Sequence, residues 1–303
     1  MKVIITDKIA DKGVALLQEA GYEVKTAWDV PKADLPGIIG DFDAIVIRSA
    51  TKLKGELLAA AKNLKVVGRA GIGLDNVDLK ACEERGIVVR NTPRATTESV
   101  AELALSFLLA LARPIVRGTA SLKSGEWAKK KLKGIEIAGK TLGIVGCGRI
   151  GSALARKCAA LGMKVIGCDV VKITEACISQ VEMPEVFANA DFISLHLPLL
   201  PSTKHIINAE AISQMKDGVY IINCARGGTI DEKALYEGIV SGKVAGAALD
   251  VWEEEPIAYE YSKKLLALDQ VIGTPHIGAQ TKEGQERAGV QVAEAVIEEL
   301  QKL

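Results

Sequence analysis

The chain has 303 residues, and its 38 Lys and Arg balance 38 Asp and Glu, so the formal net charge is zero. That balance offers no global field to nucleic acid or an anionic membrane, and no stretch approaches the roughly 20 consecutive apolar residues of a membrane span, so neither partner is expected. The length accommodates two domains of ordinary size. Six cysteines lack paired metal-ligand spacing, and Cys158, Cys168 and Cys224 lie in apolar runs, which predicts reduced, buried thiols and no metal site. The N-terminus runs directly into a strand pattern, KVIITD, which leads us to expect a cytoplasmic protein.

Along the first 91 residues, short apolar runs alternate with helix-length segments: KVIITD, YEVKTA, FDAIVIRSAT, LKVVGRAG and GIVVRN. Such alternation predicts a parallel sheet flanked by helices. The character then changes. SVAELALSFLLALARP is apolar at Val100, Leu103, Ala104, Phe107, Leu108 and Leu111, and also on its opposite face at Ala101, Leu105 and Leu109. A helix apolar all round must be buried on all sides, between domains or between subunits. Ser99 and Glu102 are positioned as a capping box at its start, and Pro114 should kink or end it. The basic run KKKLK near Lys130 reads as a solvated face.

KTLGIVGCGRIGSALA, starting at Lys140, has the form of a buried strand, a glycine turn and a helix. Gly146 permits a tight turn, Gly148 lets the backbone approach a pyrophosphate, and Gly151 allows the helix to pack closely on the strand. Unpaired N–H groups at the helix start favour the phosphates. The next apolar run, MKVIGCDV, ends at Asp169, where a carboxylate accepts hydrogen bonds from an adenosine ribose and repels an additional 2′-phosphate; this predicts NAD rather than NADP. Cys147 is a small residue that fits the turn. Six strand candidates (KTLGIVGCG, KVIGCDV, ADFISLHLP, GVYIINCARGG, VAGAALDVW and QVIGTPHIG) make a complete dinucleotide-binding sheet, preceded by a separate domain. The last 22 residues read as a helix with Val290, Ala293, Val296, Ile297 and Leu300 on one face, and composition does not say which domain receives it.

In order, GRAGIGLDNVD, GCGRIG, NCARGGTIDEKAL, GAALDVWEEEP and TPHIGAQT resemble the D-isomer-specific 2-hydroxyacid dehydrogenase family over almost the whole chain. The resemblance implies an α/β protein of two doubly wound parallel-sheet domains. An NAD-binding Rossmann domain (94–275) is inserted into a flavodoxin-like substrate domain (1–93 and 276–303), with the C-terminal helix returning to the first. It also implies a homodimer built through the cofactor domains, the apolar helix near Leu105 contributing. Nothing after Leu303 corresponds to the regulatory domain of longer relatives, so the expectation is a short form.

By the same resemblance His276 is the acid/base that takes the hydroxyl proton of a 2-hydroxy acid. Glu255, before Pro256, is the carboxylate that hydrogen-bonds it, and Arg226 grips the substrate carboxylate bidentately. Cofactor contacts carried over by position are Gly146, Gly148, Arg149, Ile150, Gly151, Asp169, Leu197, Cys224, Ala225, Asp250 and Gly278. Leu197 stands where some relatives carry a hydroxyl. His196 and His205 match no catalytic motif and read as structural, His196 capping a loop near the cofactor.

Substrate choice is expected in the first domain, where Arg48 and Arg69 each end a strand candidate and Gly71, Ile72 and Gly73 offer backbone N–H groups to a carboxylate. The two arginines resemble those that bind the phosphate of 3-phosphoglycerate, with Lys129, Lys130, Lys131 and Lys133 adding charge across a dimer. The expected reaction is therefore oxidation of D-3-phosphoglycerate to 3-phosphohydroxypyruvate, the first step of phosphorylated serine biosynthesis, with a phosphorylated 2-hydroxy acid as small-molecule partner. The alternatives are a glyoxylate or hydroxypyruvate reductase of the same family and, from another class, a nucleotide-sensing corepressor. The latter would carry long disordered tails, which this chain lacks.

Overall fold

A computed structural model describes all 303 residues. Two compact units make up the chain: Met1–Thr97 with Ala279–Leu303, and Glu98–Gly278. Both crossings fall a few residues later than the sequence patterns place them. His276 thereby belongs to the second unit, because the N–H groups of Ile277 and Gly278 are held there by the Asp250 carboxylate.

The first unit begins with β1 (Lys2–Ile5), α1 (Asp11–Glu19), β2 (Glu23–Thr26), β3 (Ala44–Ile47), α2 (Gly55–Ala60), β4 (Val66–Arg69), α3 (Leu79–Glu84) and β5 (Val88–Asn91). Its five strands pair in parallel in the order β2-β1-β3-β4-β5, the flavodoxin-like arrangement. Alternate residues of each strand serve opposite faces. Ile4, Ile45, Ile47 and Val67 join one core cluster with Leu57 and Leu58 of α2, while Val3, Ile5 and Val46 join another with Leu17 of α1.

The second unit contains α4 (Thr97–Ala112), α5 (Ile115–Lys123), β6 (Thr141–Val145), α6 (Arg149–Ala160), β7 (Lys164–Cys168), β8 (Ser179–Gln180), α7 (Met183–Asn189), β9 (Phe192–Leu195), α8 (Ala209–Gln214), β10 (Val219–Asn223), α9 (Glu232–Val240), β11 (Val244–Leu249), α10 (Glu260–Leu266) and β12 (Val271–Gly273). Seven parallel strands, not six, run β12-β11-β10-β9-β6-β7-β8. The addition is β8, two exposed polar residues paired to Ile166 and Gly167 and steadied by the Gln180 side chain, which accepts from the Ile173 N–H at 2.9 Å. The order reverses between β9 and β7 around β6, the switch point at which open α/β sheets bind ligands.

Helix α4 starts at Thr97, so Ser99 lies inside it and forms no capping box; the turn through residues 93–96 runs straight into the helix two residues early. Val100, Ala104, Phe107 and Leu108 are buried against Leu142, Ile144 and Phe192. Leu109, by contrast, is exposed in the chain, as are Ile115, Val116, Leu122 and Trp127 beyond it. Pro114 separates α4 from α5, and the two helices are bent by 66°. No single helix is long and apolar enough to cross a membrane. All six cysteines are free.

The closing helix α11 (Lys282–Leu300) packs within the first unit against α1 and β4. Its buried stripe runs through Ala288, Val292, Val296 and Leu300 at four-residue spacing, with Ala293 beside it, so Val292 takes the buried place and Val290 is only half-buried. Three glycines permit this approach: a Cβ on Gly68 would lie 2.5 Å from Val296, and one on Gly13 would lie 2.3 Å from the Gly289 carbonyl oxygen. Since backbone cannot yield as a side-chain tip can, Gly13→Ala is expected to destabilise the protein by about 1–3 kcal/mol in chemical unfolding. Gly37→Ala, at a position with no atom within 4 Å, should be close to neutral; equal loss in both would contradict the packing argument.

Candidate active site

Strand β6 ends in the glycine turn. Gly146 has φ 92°, and a Cβ there would lie 2.7 Å from the His196 carbonyl oxygen. Gly151, in the first turn of α6, would place a Cβ 2.3 Å from the Gly146 oxygen. Both are required by packing alone. Gly148 differs: it precedes α6 and has no atom within 4 Å of its missing Cβ, leaving open space beside N–H groups of a helix start where a pyrophosphate fits. Arg149 is exposed and Ile150 half-buried at the same point. Asp169 follows β7, and its carboxylate is held at the turn, accepting from the Cys147 N–H at 2.7 Å and the Val171 N–H at 3.1 Å. Burial, reinforced by Asp169, pushes the Cys147 thiol up to about 12, so it stays protonated and unreactive.

After β9, Leu197 is half-buried. The His196 imidazole bonds Ser194 Oγ through Nε2 at 2.9 Å, and its Nδ1 is sealed from solvent without a partner. Burial pulls its pKa down to about 4. The ring is neutral and tied to its own strand, in keeping with a structural histidine.

At the end of β10 the turn bearing Arg226 is built by two residues of the NCARGGTIDEKAL run to which sequence reading gives no role. Asn223, 2 % exposed, accepts from the Ala225 N–H and donates to the Arg226 carbonyl and to Thr229 Oγ1, each at 3.0 Å. Thr229 Oγ1 in turn donates to the Arg226 carbonyl at 2.7 Å. Cys224 and Ala225 are buried, and the half-buried Arg226 donates from Nη1 to the Ala225 carbonyl at 2.7 Å. A Cβ on Gly227 would stand 1.8 Å from the Trp252 carbonyl oxygen, so only glycine lets this turn close on the loop after β11.

That loop starts with Asp250, 1 % exposed. Its carboxylate accepts from the Ile277 and Gly278 N–H groups, both at 2.8 Å, and from Thr274 Oγ1. Its carbonyl accepts from the His276 N–H at 2.9 Å. The turn after β12 is thereby wound around Asp250, with His276 at φ 54°. His276 Nδ1 lies 2.7 Å from Glu255 Oε2, and Glu255 Oε1 accepts from the Trp252 N–H at 3.1 Å. The Trp252 indole N–H donates to the Thr274 carbonyl at 3.0 Å.

The hydrogen bond to Glu255 raises the His276 pKa against the opposing effect of burial. Burial works against ionised Glu255, but the bonds from His276 and the Trp252 N–H outweigh it and hold the carboxyl below its usual range. The pair is thus charged between these two displaced values. Nε2 remains for a substrate proton, and the Arg226 charge is felt by both members of the pair.

In the first unit, Arg48 and Arg69 stand at the ends of the neighbouring strands β3 and β4. The buried Asp7 carboxylate organises the segment after β3, accepting from the Arg48 N–H at 2.7 Å, Thr51 N–H at 3.0 Å and Lys32 Nζ at 2.8 Å. Asn76 donates to the Arg48 and Thr51 carbonyls at 2.6 and 2.7 Å. Arg48 Nη1 donates to the Lys8 carbonyl at 3.3 Å. A Cβ on Gly71 would collide with Arg69 Nη1, so the guanidinium lies over that glycine. Asn91 donates to the Ile72 carbonyl at 2.6 Å and the Thr92 N–H to the Gly71 carbonyl at 3.0 Å, which fixes the Gly71–Gly73 loop.

Residues 105–278 match the family model "D-isomer specific 2-hydroxyacid dehydrogenase, NAD binding domain". The chain belongs to that family. A hydroxypyruvate reductase of Thermotoga maritima is 50 % identical over 99 % of the chain and 98 % of its own length. A D-3-phosphoglycerate dehydrogenase of Methanocaldococcus jannaschii is 48 % identical over 98 % of the chain, which spans 57 % of that relative's length. Among solved structures, D-lactate dehydrogenase of Aquifex aeolicus in complex with NAD and lactic acid matches with a TM-score of 0.85 and 32 % identity, covering all of this chain and 96 % of that one. As a 2-hydroxyacid dehydrogenase with the family's NAD-binding domain, the protein uses NAD, and the open space at Gly148 and the carboxylate of Asp169 fit that cofactor.

With Nδ1 committed to Glu255, His276 in the acid/base role that the resemblance implies would have to be neutral for alcohol oxidation and protonated for the reverse reduction. The acid limb of kcat/KM for oxidation and the alkaline limb for reduction should therefore both lie above about 6.5, the ordinary histidine value. Glu255→Gln removes the charge that raises the pKa and should move both limbs to lower pH. Unmoved limbs would take Glu255 out of the assignment.

Proposed function

We propose that the protein oxidises D-3-phosphoglycerate to 3-phosphohydroxypyruvate with NAD, at the head of serine biosynthesis. The observation that carries this reading is the pair of arginines at the ends of β3 and β4, Arg48 held at its backbone by Asp7 and Asn76 and the Arg69 guanidinium lying over Gly71; a phosphate dianion calls for two such cations. NAD supplies the hydride acceptor for C2. His276 Nε2 takes the hydroxyl proton as the C2 hydride departs, so two electrons and one proton leave as hydride and one proton passes to the imidazole. Glu255 holds the ring by Nδ1 and stabilises the imidazolium that results. Arg226 takes the substrate carboxylate and polarises the oxygen that becomes the keto group. In the first unit, the N–H groups of Gly71, Ile72 and Gly73 are offered to an anionic group of the substrate.

A reductase acting on hydroxypyruvate or glyoxylate is the second reading, favoured by the full-length similarity to the Thermotoga maritima reductase. It needs the same three residues and no phosphate site. The exposed Ile115, Val116, Leu122 and Trp127, next to exposed Leu109 of α4, support a homodimer, since apolar surface of this extent on one segment is normally covered. Lys129 and Lys130 lie exposed in the following turn, while Lys131 pairs with Glu126 at 2.9 Å.

A panel of phosphorylated and unphosphorylated 2-hydroxy acids and their keto forms, assayed with NAD(H) and NADP(H), tests the reading. Charge-assisted hydrogen bonds are worth about 1.5–3 kcal/mol, so Arg48→Ala should weaken use of 3-phosphoglycerate by roughly ten- to a hundredfold, mainly in KM. Glycerate and hydroxypyruvate should hardly respond. Equal losses on both classes would favour the reductase. NAD should be preferred to NADP, with Asp169→Ala narrowing the margin; equal use of both by the intact enzyme would refute the role of Asp169.

A further inference from the structure

His205 and His276 are the only residues other than glycine with positive φ, at 50° and 54°. A side chain in that region costs about 1–3 kcal/mol and persists where its surroundings over-determine it. For His276 the cause is the Asp250 turn. His205 needs its own explanation.

It lies between β9 and α8, in a segment laced to the turn that bears Arg226. The His205 N–H donates to the Gly228 carbonyl at 2.8 Å, the Ile207 N–H to the Thr229 carbonyl at 3.2 Å, and the Asp231 N–H to the Ile207 carbonyl at 2.9 Å. The His205 side chain reaches a different loop, with Nε2 2.7 Å from Glu253 Oε1. Glu253 is two residues before Glu255. Its N–H is also held, donating to Glu232 Oε1 at 2.7 Å, and the second oxygen of this buried carboxylate takes the Ser262 hydroxyl. Trp252 and Glu253 therefore give their successive N–H groups to Glu255 and Glu232. The 252–255 segment is clamped on its backbone by carboxylates and on its side-chain side by His205. One residue thus joins the Arg226 turn, through its backbone, to the Glu255 loop, through its ring.

We propose that His205 is a positioning residue for the reaction: through Glu253 it sets the Glu255–His276 pair against Arg226, so that proton acceptor and carboxylate grip keep one geometry. This rests on the roles proposed above for Arg226, Glu255 and His276. The pyrophosphate and ribose ends of the cofactor are met elsewhere, at the glycine turn and Asp169, and do not depend on the tie. A displacement of about 1 Å between reacting groups costs up to a hundredfold in rate.

The test uses the intact enzyme with NAD and its best 2-hydroxy acid. His205→Gly keeps the left-handed backbone and deletes only the imidazole; Glu253→Ala deletes the acceptor; Glu253→Gln retains an acceptor oxygen. The first two should each lower kcat on the order of tenfold, leave the Kd for NAD within about twofold, and shift the acid limb of kcat/KM for oxidation to lower pH as Glu255 loosens its hold on His276. Glu253→Gln should keep more than about half of kcat, and the double variant His205→Gly with Glu253→Ala should be no worse than either alone, as for two ends of one contact.

Wild-type kcat and acid limb in both single variants would overturn the inference even if the melting temperature fell, because a purely structural tie moves only stability. Multiplying losses in the double variant would overturn it as well. If His205→Gly does not fold, Glu253→Ala carries the same readouts. His276→Ala, assayed in parallel, separates the layers: its inactivity beside an unaffected His205→Gly defeats this inference alone, whereas full turnover in His276→Ala defeats the catalytic assignment and this inference together.

Discussion

The buried carboxylate of Asp250 is the interaction on which the site depends. It collects two N–H groups and a hydroxyl from residues 274–278, and with them it winds the turn that presents His276. Hydrogen bonds to a charged acceptor are worth about 1.5–3 kcal/mol each, against about 1–3 kcal/mol for a non-glycine residue in the left-handed region. Three such bonds win, and a histidine is held at φ 54° with Nδ1 facing Glu255. The same bonds explain why residues 276–278 belong to the second unit. Both oxygens of Asp250, one of the cofactor contacts that the resemblance implies, serve this turn.

The chemistry follows from where a parallel sheet puts its strand ends. Arg226 follows β10, Asp250 and Glu255 follow β11, and His276 follows β12, three neighbours in the sheet. The glycine turn follows β6 and Asp169 follows β7, beside the point where strand order reverses. Each functional side chain sits just past a strand whose apolar residues are locked in the core, so its position is inherited from packing. The linking loops are then closed by glycine at Gly227 and by buried acceptors at Asn223 and Glu232.

What the sequence reveals and what it hides divide along physical lines. Strands such as FDAIVI and KTLGIV are legible because burial on both faces demands unbroken apolar runs, and the glycine turn because phosphate binding demands small residues at fixed spacing. Strand β8 is not legible: Ser179 and Gln180 bury nothing. Nor is the start of α4, where Ser99 and Glu102 match a capping box but the preceding turn already sets the helix at Thr97. Asn223, Thr229 and Glu232 lie within the NCARGGTIDEKAL run, but their roles do not show in it, because their duty is to backbone groups, in Glu232's case some 20 residues away. The unit boundary after Gly278 is hidden for a similar reason, since the partner of Ile277 and Gly278 is Asp250, on another strand end. His205 reads as structural in sequence, and only its strained backbone and its reach to Glu253 single it out.

The central claim is that Asp250 and Glu255 together fix His276 as a proton acceptor with raised affinity. An NMR titration of the three imidazoles measures it directly, with His276 assigned by its absence from His276→Ala. The account predicts His276 to titrate above the ordinary value of about 6.5 while His196, its Nδ1 sealed from solvent, does not protonate until about pH 4. A His276 imidazole titrating at or below 6.5 in the wild-type protein would contradict it.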